Sequence, residues 1–189
     1  MRKLLLLLLL VNYSVFAQLK IKDDKTVFYE EVIETDKTTK EVHDAVEEFL
    51  ATNSGNSNYT IKINNEDQIL SKGQISVIGP NKLEIVLNTE FKDGRYRILM
   101  DPISWNGKSP LTESMNFDKE KAKEDMKQMY IDKGMEKTYE KKDKKGEIDA
   151  DIQEFVKMQT MLYDKSKEKI INFANSLKKY VSNKENSEW

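Results

Sequence analysis

The hydrophobic positions change period along this chain. From Thr26 to Glu34, TVFYEEVIE, β-branched and aromatic residues crowd together, which predicts a strand. Val42, Ala45, Val46, Phe49 and Leu50 then recur at i, i+3, i+4, i+7 and i+8, one face of a helix. Thr38 and Glu41 predict a capping box at its start, and the Asn, Ser and Gly of Thr52–Asn58 end it. Alternation returns at Tyr59–Asn64, with Tyr59, Ile61 and Ile63 on one side. After a polar turn it continues through Ile69–Gly79, where Gly73 predicts a bulge, and Gly79-Pro80-Asn81 turns the chain again.

The next segment, up to Trp105, contains a hairpin around Asp93-Gly94. A two-residue type I′ turn there would set Lys92 against Arg95, Phe91 against Tyr96, Glu90 against Arg97 and Thr89 against Ile98. That register sorts the side chains. Leu83, Ile85, Leu87, Thr89, Phe91, Tyr96, Ile98 and Met100 share one face; Glu84, Glu90, Lys92, Arg95, Arg97 and Asp101 share the other with Val86 and Leu99. A slip of one residue would split Phe91 from Tyr96. The pleat therefore accounts for the arginines as solvent-side residues, with Glu90 and Arg97 as a cross-strand ion pair. The competing use of Lys92, Arg95 and Arg97 is an anion-binding strip.

Pro102, Gly107 and Pro110 predict a loop over Asp101–Pro110. A surface helix follows, capped by Asp118, with Phe117 stapled onto Ala122, a thin stripe of Ala122, Met126, Met129 and Tyr130, and Gly134 at its end. The run Met135–Glu147 is so charged that it predicts a linker. From Ile148 to Val181 a helical stripe runs without Pro or Gly through Ile152, Phe155, Val156, Leu162, Tyr163, Ile170, Phe173, Ala174, Leu177, Tyr180 and Val181. At 1.5 Å per residue it would reach roughly 50 Å, so it overhangs any strand of about 20 Å or kinks.

Charge and the N-terminus supply an address. Residues 1–17 combine Arg2 and Lys3, an apolar run from Leu4 to Val11, and Val15 and Ala17 at the two positions a signal peptidase reads. Cleavage after Ala17 predicts a periplasmic or secreted chain. The apolar run falls short of the roughly 20 residues of a membrane span, and no later run is longer, so no transmembrane segment is expected. Cleavage leaves 172 residues and takes the net charge from −2 to −4. That balance argues against nucleic-acid binding, which runs on cation excess. Cysteine is absent, so no disulfide compensates for a small core.

Candidate chemistry is sparse, and neither an enzyme nor a cofactor is expected. His43 is the one histidine; with Glu47 at i+4 it supplies two potential ligands, which do not complete a zinc site. Around Gly146 a calcium-loop pattern fails, because Lys141 and Lys145 occupy ligand positions. Carboxylate pairs such as Glu30-Glu31 and Glu47-Glu48 are ordinary in a chain that is 34% charged. No nucleophile elbow and no glycine-rich phosphate loop is present; Asn58-Tyr59-Thr60 fits a glycosylation sequon. Gln159 and Ser166 lie inside the long apolar stripe, where polar groups need partners. Ser166 can bond back to its own helix, or both can face a cavity. Met158 and Met161 point away from the stripe, available to the surface helix or to a partner.

These elements add up to an α+β domain: a five-stranded antiparallel sheet in β-α-β4-α order, with the helices on its apolar side. Residues 18–105 would form the β-α-β4 core and 106–147 a surface helix and linker. Residues 148–182 would form the long helix that completes the core, and 183–189 a polar tail. FYEEVIE leading into TTKEVHDAVEEFLA, Gly73-Gln74-Ile75 and FKDGRYRILMDPISW together make residues 26–105 resemble a domain-of-unknown-function family of secreted bacterial proteins with a TATA-binding-protein-like fold. The resemblance implies that same topology, shared with helix-grip proteins, and carries no nucleic-acid binding. Two functions are expected to compete. One is a non-enzymatic exported module that binds a protein or cell-envelope partner. The other is a helix-grip carrier of a small apolar ligand lined by Tyr96, Met100, Gln159 and Tyr163. A cavity of a few hundred Å3 under the helix would favour the carrier; a solid core with an exposed Met and aromatic patch would favour the partner.

Overall fold

The computed structural model of the chain describes residues 18–52, 59–112 and 119–184. The leader, the Asn-rich turn with Asn58 of the sequon, the Asp118 cap with its Phe117 staple, and the tail after residue 184 lie outside the described residues. Among those described, the order is β1 (Gln18–Ile21), β2 (Val27–Glu34), α1 (Thr39–Thr52), β3 (Thr60–Asn65), β4 (Gln68–Ile78), β5 (Asn81–Lys92), β6 (Arg95–Trp105), β7 (Ser109–Pro110), α2 (Lys119–Asp132), α3 (Glu136–Lys144) and α4 (Glu147–Asn183). The strands form one antiparallel sheet ordered β1-β2-β6-β5-β4-β3, with β7 beside the end of β6.

The sheet therefore has seven strands where the sequence reading expected five. β1 lies in what reads as a polar lead: its Leu19 packs against the core and pairs with Tyr29 of β2. The expected loop over Asp101–Pro110 is in large part strand. β6 runs on to Trp105, and Ile103 is buried. Pro102 is tolerated because β5 sets one residue, Val86, between the pairs Leu87–Met100 and Ile85–Ile103, while β6 sets Asp101 and Pro102 there. A bulge is where a sheet accepts a residue with no N–H. β7 and Leu111 then prolong the β2 side of β6, through Leu111 N to Ile103 O at 2.8 Å and Val27 N to Leu111 O at 2.8 Å.

The hairpin register is the expected one, pair for pair from Lys92–Arg95 to Thr89–Ile98. Its turn is not type I′, which needs positive φ at both central residues. Gly94 has φ +74°, and Asp93 is not among the positive-φ residues. Tertiary contacts hold this turn: Thr35 N donates to Gly94 O at 3.0 Å and Thr39 Oγ1 to Asp93 Oδ1 at 3.0 Å. Gly73 also departs from expectation. It pairs regularly with Ile85, and the register shifts of β4 and its neighbours fall elsewhere. Gly73 is needed because the Tyr59 ring sits where its side chain would be.

α1 is capped as its sequence predicts, with Thr38 N to Glu41 Oε2 at 2.7 Å and Glu41 N to Thr38 Oγ1 at 3.3 Å. Its buried Val42, Ala45, Val46, Phe49 and Leu50 meet the sheet face made by Tyr29, Ile69, Leu83, Ile85, Leu87, Phe91, Tyr96, Ile98 and Met100. The C-terminal half of α4 joins them through Ile170, Ala174, Leu177 and Val181. At 37 residues, α4 is about 55 Å long and overhangs the sheet. Its N-terminal half builds a second, smaller core from Ile148, Ile152 and Tyr139, with Ala122, Met126, Tyr130 and Val156 against it. The expected linker over Met135–Glu147 is thus helical in α3. Glu and Lys favour helix, and one aromatic, Tyr139, anchors the segment edge-on to Tyr130.

Candidate functional site

The four residues expected to line a carrier pocket are spread between the sheet and two stretches of α4. Tyr96 and Met100 are in the sheet face of the main core, 2% and 0% exposed. Tyr163 packs half-buried on the edge of that core with Lys167 Nζ 5.5 Å above its ring, and Gln159 is half-buried further along α4. Ser166 bonds back to Leu162 O at 2.7 Å, the local solution expected for it.

Tyr96 belongs instead to a polar group that the sequence reading passed over. On β2 the inward positions are Val27, Tyr29, Glu31 and Ile33, so the pleat places a carboxylate on the core face. Glu31 is 8% exposed. Lys178 reaches it from α4, with Nζ 2.8 Å from Oε2 and 2.9 Å from Oε1, and the Tyr29 hydroxyl donates to Oε2. Burial, reinforced by the Glu31 charge, pushes the Tyr29 and Tyr96 phenols well above their usual range. Both phenols stay protonated at physiological pH, and Tyr29 donates to Glu31. Parity alone could have found Glu31, because it interrupts an otherwise apolar row. Lys178 gave no such signal, since a lysine beside Leu177 reads as a flank.

The opposite face of the sheet carries a polar ladder. Lys20 on β1 meets Glu30 on β2 at 2.8 Å; Glu30 meets Arg97 on β6 at 3.3 Å; Arg97 meets Glu90 on β5 at 2.5 Å. Asn88 Nδ2 donates to Glu90 at 3.2 Å, and Gln68 on β4 donates to Asn88 at 2.8 Å. Arg97 is thereby taken out of the anion-binding strip. Lys92 and Arg95 have no carboxylate partner among the described residues and border a shallow cleft of about 270 Å3 with Val32.

The single histidine is held in place. Asn64 Nδ2 donates to Glu47 Oε1 at 2.8 Å, which fixes the amide, and Asn64 Oδ1 lies 2.7 Å from His43 Nε2, which assigns the proton to that nitrogen. The ring meets Phe91 edge-on at 5.3 Å. It borders an open cleft of about 490 Å3 with Thr39, Lys40, Asp44, Asn65 and Glu66. Among the described residues no group of three or more His, Asp or Glu side chains is arranged to hold a metal ion.

Exposed apolar surface is concentrated away from these groups. Of ten large apolar residues that stand exposed among those described, five are on the projecting helices, Met129, Ile131, Phe155, Met158 and Met161, and a sixth, Met135, caps α3 between two of them. No described helix is long and apolar enough to cross a membrane.

No protein-family model matches the chain, and no curated protein does. Two solved structures are similar to part of it. A TBP-like protein from Parabacteroides distasonis shares 14% identity at a TM-score of 0.37, over 46% of this chain and 60% of its own. A DUF4468 family protein from Bacteroides ovatus shares 12% identity at a TM-score of 0.37, over 46% of this chain and 58% of its own. The chain thus spans about three-fifths of the length of the solved proteins it is similar to.

Proposed function

We propose that this chain is an exported, non-enzymatic interaction module whose projecting helices receive a protein partner in the cell envelope or the medium. The observation that carries the reading is the placement of exposed methionines. Met129, Met135, Met158 and Met161 are each more than two-fifths exposed, three on helices that overhang the sheet and Met135 at the cap between α2 and α3. Methionine is flexible and polarisable, and suits a surface that adapts to another. On the sheet side, four of the outer-face cations, Lys20, Lys22, Lys72 and Arg97, are neutralised by carboxylates of the same chain, which leaves Lys92 and Arg95 at the hairpin tip. The sheet's inner face is filled by Leu87, Ile98 and Met100 with no exposed area, which favours a partner over a small apolar ligand.

The test is site-specific photo-crosslinking at position 158 in the native host, with and without Met161→Glu. A discrete adduct that Met161→Glu abolishes, while Lys62→Glu on β3 leaves it intact, supports the reading. Adducts indifferent to Met161→Glu overturn it, as does a co-purifying lipid-sized mass in native mass spectrometry. N-terminal sequencing of the protein recovered outside the cytoplasm should begin at Gln18.

A further inference from the structure

The middle of α4, residues 153–165, lies between the two cores, and no side chain there is fully buried. A second row of residues follows the helix through this stretch. Asp151, Met158 and Lys165 recur every seven residues, and so do Phe155, Leu162 and Lys169, each four residues after its counterpart. Steps of four and three alternate, which is the 3.5-residue period along which one helix meets another in a seam. Met158 and Phe155 are exposed, Leu162 is half-buried, and exposed Met161 stands beside them. The row runs one residue behind Ile152, Gln159, Tyr163, Ser166 and Ile170, so it is turned about 100° from the face that meets the cores.

Opposite charges flank the apolar centre of the row. Asp151 and Glu154 precede it, and Lys165 and Lys169 follow it. The helix dipole does not account for the lysines, because its attraction for cations is confined to the last turn and Lys169 stands about four turns short of the end at Asn183. Within the chain Asp151 meets Lys142 at 3.1 Å, and Lys165 meets Glu168 at 2.6 Å. Both pairs are largely exposed and are given up at little cost. We infer that the row is the seam of an antiparallel dimer, whose occupant is a second copy of this chain. A two-fold axis between Met158 and Leu162 lays the acidic end of each row beside the basic end of the other, and sets Met158, Met161 and Leu162 against their own counterparts. Parallel pairing would instead put acid on acid and lysine on lysine. Since the row is turned from the core face, the second helix approaches without displacing the sheet. The inference rests on the reading that the projecting helices receive a protein, and it names that protein. A seam of about five turns is smaller than a standard interface, so a weak, micromolar association is expected.

Sedimentation equilibrium of the purified protein between about 1 and 300 µM should show monomer and dimer in exchange. Asp151→Lys with Glu154→Lys reverses the acidic end, and Lys165→Glu with Lys169→Glu reverses the basic end. Each double variant should associate roughly tenfold more weakly or worse, because like charges then meet twice across the axis. An equimolar mixture of the two should recover the parent's association as a heterodimer. A parent chain that stays monomeric, a dimer indifferent to both reversals, or a mixture that stays monomeric while both variants keep the parent's circular dichroism overturns the inference. Photo-crosslinking of the parent at position 158 separates this inference from the broader reading. An adduct of twice the chain's mass supports the second copy. An adduct of another mass overturns it and leaves the partner reading standing, and no adduct at all defeats both.

Discussion

The ring of Tyr59 fills the space that a side chain at Gly73 would need: its nearest carbons lie 2.3 Å from where a β-carbon would sit. The same ring stacks on Phe173 of α4 at 5.3 Å, with the planes 21° apart. A glycine on β4 is thus part of what seats the long helix. Gly73→Ala should push Tyr59 off Phe173 and destabilise the chain by about 1–3 kcal/mol, the usual range for overpacking. Urea unfolding measures this, and an unchanged midpoint would mean that the ring yields freely.

The two hairpin arginines should behave differently. Arg95 has no ion-pair partner among the described residues, whereas Arg97 joins Glu30 to Glu90. Arg95→Gln should fall within about 0.5 kcal/mol of the parent, as surface substitutions do. Arg97→Gln should cost up to about 1 kcal/mol, and 0.5 M salt should shrink that loss, because half-exposed pairs are screened. Equal effects of the two substitutions would refute the ladder.

Acid stability should depend on Glu30. Its hydrogen bond and charge contact with Lys20, followed by the charge of Arg97, hold its carboxyl below the ordinary 4.5. A lowered folded pKa stabilises above 4.5, and that contribution is lost as pH falls through the lowered value. Glu30→Gln should therefore lower stability at pH 7 and flatten its fall below pH 4.5, as followed by urea midpoints across pH.

Alkaline stability should show the opposite sign at the tyrosines. Burial raises the phenols of Tyr29, Tyr59 and Tyr96 above the ordinary 10.0. A raised folded pKa stabilises fully below pH 10, and the contribution is lost as pH climbs from there through the raised values. Ultraviolet titration should show these phenolates only as the chain unfolds, and early, reversible ionisation of all the tyrosines would contradict their burial.

The second core should open alone. Ile152→Ala removes a 2%-exposed side chain from a cluster of three fully buried residues and should cost that cluster about 2–4 kcal/mol. Amide exchange should quicken in α2 and α3 and leave β5 and β6 protected.

The sequence was most readable where two constraints agreed. The Asp93-Gly94 turn and the alternation of Leu87 to Met100 each demand one register, and the sheet adopts it even though the turn type differs. It was least readable where a tertiary partner outweighs local composition. β1 is a strand because Leu19 finds Tyr29, and α3 is a helix because Tyr139 finds Ile148 and Ile152; neither neighbour is visible in the four or nine residues concerned. Of the candidate site, Tyr96 was singled out for the right face and the wrong company. Its neighbour Glu31 shows in the parity of β2, but the lysine that meets it comes from 147 residues away.

α4 is gripped at both ends, by the sheet through Ile170 to Val181 and by two short helices through Ile148 and Ile152. A stiff rod held so is a lever. Between the two grips the helix runs on without Pro or Gly, so Lys178 and its ion pair with Glu31 stand about 40 Å along the same rod from the outlying pair.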